Sequence, residues 1–176
     1  VSPAAKYVWA ALAIAVLSHF AFLHAAPRVL MNAAIERVGA GGANAWRVAD
    51  RVTALSRDIV RPSPDFAYSV CVYDLRDGPL ALRAAPWGAY WSLSLYGQNS
   101  DNYFVVDDRE ARDGAEITLV RAGRPAPEDA PRVVESPSRR GIALIRRLAP
   151  TLDDYNAASR AAQDDVCAAF TPAPTS

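Results

Sequence analysis

Residues 7 to 26 read YVWAALAIAVLSHFAFLHAA, twenty positions with no Lys, Arg, Asp or Glu. No other feature of the chain limits its architecture as strongly. Coiled as an α-helix rising about 1.5 Å per residue, such a run matches a hydrocarbon layer roughly 30 Å thick. Eight of the twenty are Val, Leu, Ile or Phe, and at about −0.3 to −0.6 kcal/mol each near the helix centre they contribute roughly −2 to −5 kcal/mol toward insertion. Tyr7 and Trp9 stand at one end, where amphipathic rings favour the headgroup level. Ser18, His19 and His24 offset part of the gain. A cleaved signal peptide is the competing reading, because Leu23, His24 and Ala25 resemble a cleavage region. Pro27 follows Ala26 directly and is badly placed after a cut there, so an uncleaved single-pass anchor is expected. Lys6 precedes the run and Arg28 and Arg37 follow it, a balance too close for charge to orient the chain across a bilayer.

The remaining sequence has a different texture. The whole chain carries nineteen basic and nineteen acidic residues, so it has no global field for nucleic acid, and none is expected as a partner. After the apolar run about 150 residues remain, enough for one domain with a sizeable core. The expected layout is a tail and transmembrane anchor over residues 1–27, a helical connector over 28–60, a β-sandwich with a C-terminal helix over 61–170, and a flexible tail over 171–176. Residues 28–38 can continue the helix, with Pro27 expected to kink it or begin a new one. Gly39, Gly41 and Gly42 then break it, and residues 43–60 are mixed in pattern.

From Phe66 onward, short β-like runs alternate with Pro, Gly, Asp and Asn. Seven are read, over residues 66–75, 80–84, 90–96, 103–106, 117–121, 132–135 and 142–148. In residues 90–96, Trp91, Leu93 and Leu95 share one face and Tyr90, Ser92, Ser94 and Tyr96 the other. No βαβ alternation occurs, so the fold class is mainly β: an antiparallel sandwich or jelly-roll-like domain with an N-terminal transmembrane helix and a C-terminal helix. Thr151 is a helix cap followed by Asp153 and Asp154 in the first turn. Tyr155, Ala158, Ala162, Val166 and Ala169 recur at helical spacing, which places Cys167 near the end of that helix.

Catalytic equipment is sparse. Both histidines, His19 and His24, lie in the apolar run, so the β-rich part has no imidazole for a Ser-His-Asp triad, a Cys-His pair or a His-ligated metal. No catalytic residue, cofactor or metal is expected. Asp65, Asp74, Asp101, Asp107 and Asp108 fall at strand ends. There they serve as turn builders or as a pair for glycoside chemistry. Tyr90, Tyr96 and Tyr103, with Asp101 and Asn102, are interface or ligand candidates, because Tyr offers a flat amphipathic platform. Arg139, Arg140, Arg146 and Arg147 are read chiefly as the solvated edge of a strand, with Arg139 singled out as a ligand or interface candidate. Ser18 and His19 are candidates for a helix–helix contact within a membrane. The two cysteines, Cys71 and Cys167, form either one structural disulfide or two unrelated buried thiols.

RPSPDFAYSVCVYDLRDGPL, then YWSLSLYGQNSDNYFVVDDR, then SPSRRGIALIRRL occur in that order. Together they resemble the bacterial domain of unknown function 1254 family in its short membrane-anchored form. The likeness rests on Pro64–Asp65, Tyr73–Asp74–Leu75, Gly78–Pro79, Tyr90–Trp91–Ser92, Asp101–Asn102–Tyr103–Phe104 and the run from Ser136 to Gly141. It implies a β-rich domain. It also implies a Cys71–Cys167 disulfide, and with it a periplasmic domain on a single-pass protein of a bacterial inner membrane. Longer members continue into a second β domain, of the domain of unknown function 1214 type, which has no counterpart in this sequence. By that likeness a second anchored membrane protein of that type is the expected partner, beside the lipid bilayer. The resulting expectation is a cell-envelope protein, more a non-catalytic binding or assembly module than an enzyme. A glycan-binding or carboxylate-dependent glycan-active domain is the alternative.

Overall fold

The computed structural model describes residues 2–53, 55–56 and 61–172. Helix α1 runs unbroken over Pro3–Val38. Ser2 caps it, its hydroxyl accepting from Ala5 N at 3.3 Å. Pro27 sits inside the helix and does not end it. Proline removes one intrahelical donor, and one residue on the Arg28 guanidinium donates to His24 O at 2.6 Å. The apolar window of α1 is long enough to cross a membrane and none of it is buried against the rest of the chain.

Beyond Pro27 the same helix crosses the outer face of a sheet. Ala34 and Ile35 are buried there, and a Cβ on Gly39 would lie 3.6 Å from Val72. Gly39–Gly41 form a 3-10 turn. Asn44, at φ 60°, then locks the chain onto the sheet. Its amide donates to Asp74 O at 3.1 Å, its side-chain oxygen accepts from Asp74 N at 2.7 Å, and its own N–H donates to Val72 O at 2.8 Å. The following residues form β1 (Trp46–Val48), an edge strand within the stretch read as connector. The part of that stretch at 54 and 57–60 lies outside the described residues.

The first sheet has the order β1, β2 (Phe66–Asp74), β8 (Arg140–Leu148), β4 (Trp91–Gly97), β5 (Asn102–Asp107). The second has the order β7 (Val133–Ser136), β6 (Ala115–Arg121), β3 (Leu80–Ala84), β9 (Val166–Ala169). All pairs are antiparallel except β6 with β7. Two-residue periodicity sorts the side chains. Tyr73, Trp91, Leu93, Leu95 and Ile145 from one sheet meet Leu80, Leu82, Ile117 and Leu119 from the other, all at most 2 % exposed. The fold is mainly β with a helix at each end, as the sequence predicts.

Two expectations need correction. The C-terminal helix α2 spans only Leu152–Ala161, opened by a capping box between Thr151 and Asp154. A 3-10 turn follows, and Val166 and Ala169 belong to strand β9, paired with β3. Cys167 is therefore on a strand opposite Leu82 rather than near a helix end. The alanine-rich sequence favours helix locally, but pairing with β3 and the bond to Cys71 override that preference. Ser92 and Ser94, on the outer face of β4, are fully buried. They stand between Arg146 and Leu144 on one side and Asp107 and Val105 on the other, longer side chains that shade them. The second correction concerns the strand carrying Arg140, Arg146 and Arg147, which is not an edge: β8 is the middle strand, flanked by β2 and β4.

Candidate functional site

The sandwich has two ends with different chemistry. At one, β2 and β4 finish and β8 begins, since Asp74 pairs with Arg140 and Gly97 with Gly141. Helix α1, the candidate anchor, meets this end: Ser100 donates to Pro27 O at 2.8 Å and Gln98 donates to Asn32 Oδ1 at 2.9 Å. We call it the anchor end.

Inside the anchor end lies a chain of hydroxyls. Tyr73, fully buried, donates to Tyr96 O at 3.0 Å and lies 3.0 Å from Ser136 Oγ. Tyr103 donates to Tyr73 Oη at 3.1 Å. Ser136 donates to Ser138 O at 2.7 Å, and Ser138 in turn donates to Arg140 O at 2.7 Å while accepting from Gln98 N at 2.9 Å. Burial, reinforced by the neighbouring Tyr73, pushes the Tyr103 phenol far above its ordinary value of 10.0. Tyr103 is thus a neutral internal strut and not an exposed platform. Gly141 is required where it stands. A Cβ there would collide with Tyr96 O and with the Tyr73 ring and hydroxyl.

The rim of the anchor end is ionic. Asp74 accepts from Arg76 N at 3.0 Å. Arg76, Arg139 and Arg140 approach its carboxylate at 3.4, 3.7 and 3.7 Å. Asp101 is held in the β4–β5 turn, where it takes the Asn99 amide and its carbonyl accepts from Gly97 N at 2.9 Å. Asn102 is exposed at the start of β5. Five of the sequence-selected residues, Tyr96, Asp101, Asn102, Tyr103 and Arg139, therefore gather at this end.

Tyr90 is at the other end. It is 39 % exposed, edge-on to Phe66 with ring centroids 5.9 Å apart. It lines a shallow cleft with Trp87, Asp108, Arg109 and Arg112. The half-buried Tyr96 is six steps further along the chain, roughly 20 Å at the rise of a strand, so the two do not form one patch. Asp107 accepts from Arg109 N at 3.0 Å and from Glu110 N at 3.4 Å, as a turn builder does. Asp108 departs from that pattern: its Oδ1 is buried without a hydrogen-bond partner. Asp65 and Asp74 terminate opposite ends of β2, so the carboxylates do not converge on one point.

The most heavily buried charges were not visible in the sequence. Arg147, 1 % exposed, forks onto Asp165 at 2.9 and 2.6 Å and also donates to Ala85 O at 3.1 Å. Asp165 Oδ1 accepts from Ala85 N at 2.8 Å. This clamp joins the middle of one sheet to the approach to β9. Its one sequence signal is the inward parity of Arg147 with Ala143 and Ile145. Cys71 and Cys167 are bonded to each other, linking β2 of one sheet to β9 of the other. Ser18 and His19 lie on the exposed part of α1, where the His19 ring meets Phe20 edge-on at 5.9 Å.

Fold and site together define a disulfide-bridged two-sheet sandwich fixed to one long apolar helix. The chain belongs to the family described as "Protein of unknown function (DUF1254)", whose model matches residues 43–168. That match begins after α1 and takes in β1 and all of β9 but its last residue. The VPA0106 protein of Vibrio parahaemolyticus shares the fold, with a TM-score of 0.64 at 12 % identity over 83 % of this chain and 36 % of its own. An uncharacterised Burkholderia cenocepacia protein is similar at a TM-score of 0.45 and 22 % identity, over 63 % of this chain and 33 % of its own. The chain thus spans about a third of the length of these solved proteins. No functionally curated protein matches it.

Proposed function

We propose that this protein is a membrane-anchored cell-envelope module that binds or assembles with another membrane protein and carries no chemistry of its own. The observation that carries the reading is the continuity of α1. One helix contains the apolar span and also buries Ile35 against the sandwich, with Pro27 and Asn32 tied to the β4–β5 turn. The sandwich is therefore presented at a set angle to the span, and Ser18 and His19 hold a set phase relative to it. Such an arrangement suits a subunit that must meet a neighbour both within and outside a bilayer. The Cys71–Cys167 bond favours an oxidising compartment, hence a periplasmic domain on a bacterial inner membrane. The Vibrio protein uses the same sandwich as little more than a third of a longer chain. A separate anchored protein of the domain of unknown function 1214 type is the partner we favour.

The test is co-purification of the tagged full chain from native membranes in mild detergent after light crosslinking, read by mass spectrometry. One stoichiometric membrane partner supports the reading, and Tyr90→Ala or Tyr96→Ala should weaken its recovery while leaving the thermal transition in place. Recovery unchanged with both tyrosines replaced excludes each of them as a contact point. No partner above background excludes the module reading. A second reading, glycan binding, is favoured by one place: Trp87 and Tyr90 beside the unpartnered Asp108 oxygen. Glycan-array binding that is lost in Asp108→Asn would support it.

A further inference from the structure

Between the sheets, at the anchor end, a cleft of about 540 Å³ is lined by Arg76, Arg121, Arg124 and Arg139, with Asp77 as its one lining carboxylate. Its size falls in the roughly 300–1,000 Å³ range of small-molecule sites. Arg121 ends β6, and Arg76, Arg124 and Arg139 come from the β2–β3, β6–β7 and β7–β8 turns, which the topology brings together. Leu75 and Val120, at 6 % and 1 % exposure, contribute an apolar floor, and Pro79 and Pro125 stiffen the walls. Asp74 behind the cleft is already shared among Arg76, Arg139 and Arg140, and no ion pair engages Arg121 or Arg124 among the described residues. The cleft therefore holds unneutralised positive charge over a dry base. Guanidiniums lining one cleft can offer forked donors to the oxygens of a phosphate.

The position of the cleft narrows the source. Arg28 and Asn32 of α1 share a neighbouring cleft with Gln98, Asn99, Pro137 and Ser138, and Ser138 directly precedes Arg139. The arginine cleft thus lies next along the β7–β8 turn to the cleft that α1 lines. Basic residues near a bilayer surface are drawn to anionic lipid. We infer that this cleft is a phosphate-binding site whose occupant is the headgroup of an anionic phospholipid. The site stands independently of any protein partner.

The test uses the full chain in neutral detergent micelles, titrated separately with dioctanoyl phosphatidylglycerol, dioctanoyl phosphatidylcholine and inorganic phosphate. Saturable binding of phosphatidylglycerol is expected. It should weaken tenfold or more in the Arg121→Gln/Arg124→Gln double variant and fall as salt is raised. These two side chains are exposed and without ion pairs, so the variant should keep its thermal transition. Arg160→Gln, an exposed charge on α2, should leave binding unchanged. Equal affinity for phosphatidylcholine, or no effect of the double variant, overturns the site. Binding of inorganic phosphate without binding of phosphatidylglycerol overturns the lipid assignment and makes the cleft a site for a soluble anion.

Discussion

Replacing Arg147 by Met should remove a large share of the domain's stability. Arg147 and Asp165 have side chains 2 % and 0 % exposed. The guanidinium makes two bonds to the carboxylate and one to Ala85 O. Without it, Asp165 keeps the Ala85 N–H and faces the core as a charge without a counter-ion. Breaking a buried pair from one side costs about 3–5 kcal/mol, against a total of roughly 5–15 kcal/mol for a typical domain. Asp165→Asn should cost a similar amount by stranding the arginine. The double variant Arg147→Met/Asp165→Asn removes both charges and keeps an acceptor for Ala85 N, so it should be more stable than either single variant. The assay is equilibrium urea unfolding of the full chain in neutral micelles, followed by tryptophan fluorescence with the disulfide intact. Because the pair is enclosed, the losses should persist in high salt. Single losses below about 1 kcal/mol, additive in the double variant, would match an exposed pair and would refute the argument that this clamp is dry.

Three further outcomes follow from the same geometry. The Cys71–Cys167 bond closes a loop with a sequence separation of 96, for which the chain-entropy model gives about 4.7 kcal/mol; a reductant titration should lower the thermal transition sharply, and an unchanged transition would show the loop already constrained. Gly141→Ala places a methyl against Tyr96 O and the Tyr73 ring, so it should destabilise by about 1–3 kcal/mol or more, while Gly78→Ala, with open space but φ +137°, should act only through backbone strain. Tyr103 has its ionisation raised in the folded state, so the unfolded chain loses this proton first; the stabilisation is complete below pH about 10 and is lost as pH climbs beyond it. Unfolding free energy measured from pH 8 to 11 should fall in the wild type above 10, and fall less in Tyr103→Phe.

The sandwich was legible wherever one face of a strand is apolar. Trp91, Leu93 and Leu95 announce β4, and the turns at Gly78–Pro79 and Asp101–Asn102 mark its neighbours. Strand β9 was hidden because VCAA carries no alternation of its own; it is a strand because β3 offers an edge and Cys71 a partner. Strand β1 was hidden for a similar reason, being three residues held by Asn44 and by Trp46 Nε1 donating to Val166 O at 2.7 Å. Of the site, the short patterns around Tyr73, Tyr103 and Ser136–Gly141 were readable as motifs. That they converge at one end follows from the register of β2, β8 and β4, which no single segment encodes.

The amino-acid sequence by itself determined the apolar helix, the mainly β class and the absence of imidazole from the sandwich, because composition and two-residue or helical periodicity are local properties of a chain. Tertiary structure alone decided which charges are buried and which are free. Arg147 and Arg139 sit eight residues apart on similar-looking sequence, yet one is sealed against Asp165 and the other lines an open cleft. The two share parity, so the difference is strand position: Arg139 precedes β8 in the β7–β8 turn, whereas Arg147 points inward from that central strand and meets what the opposite sheet brings, which is a non-local event.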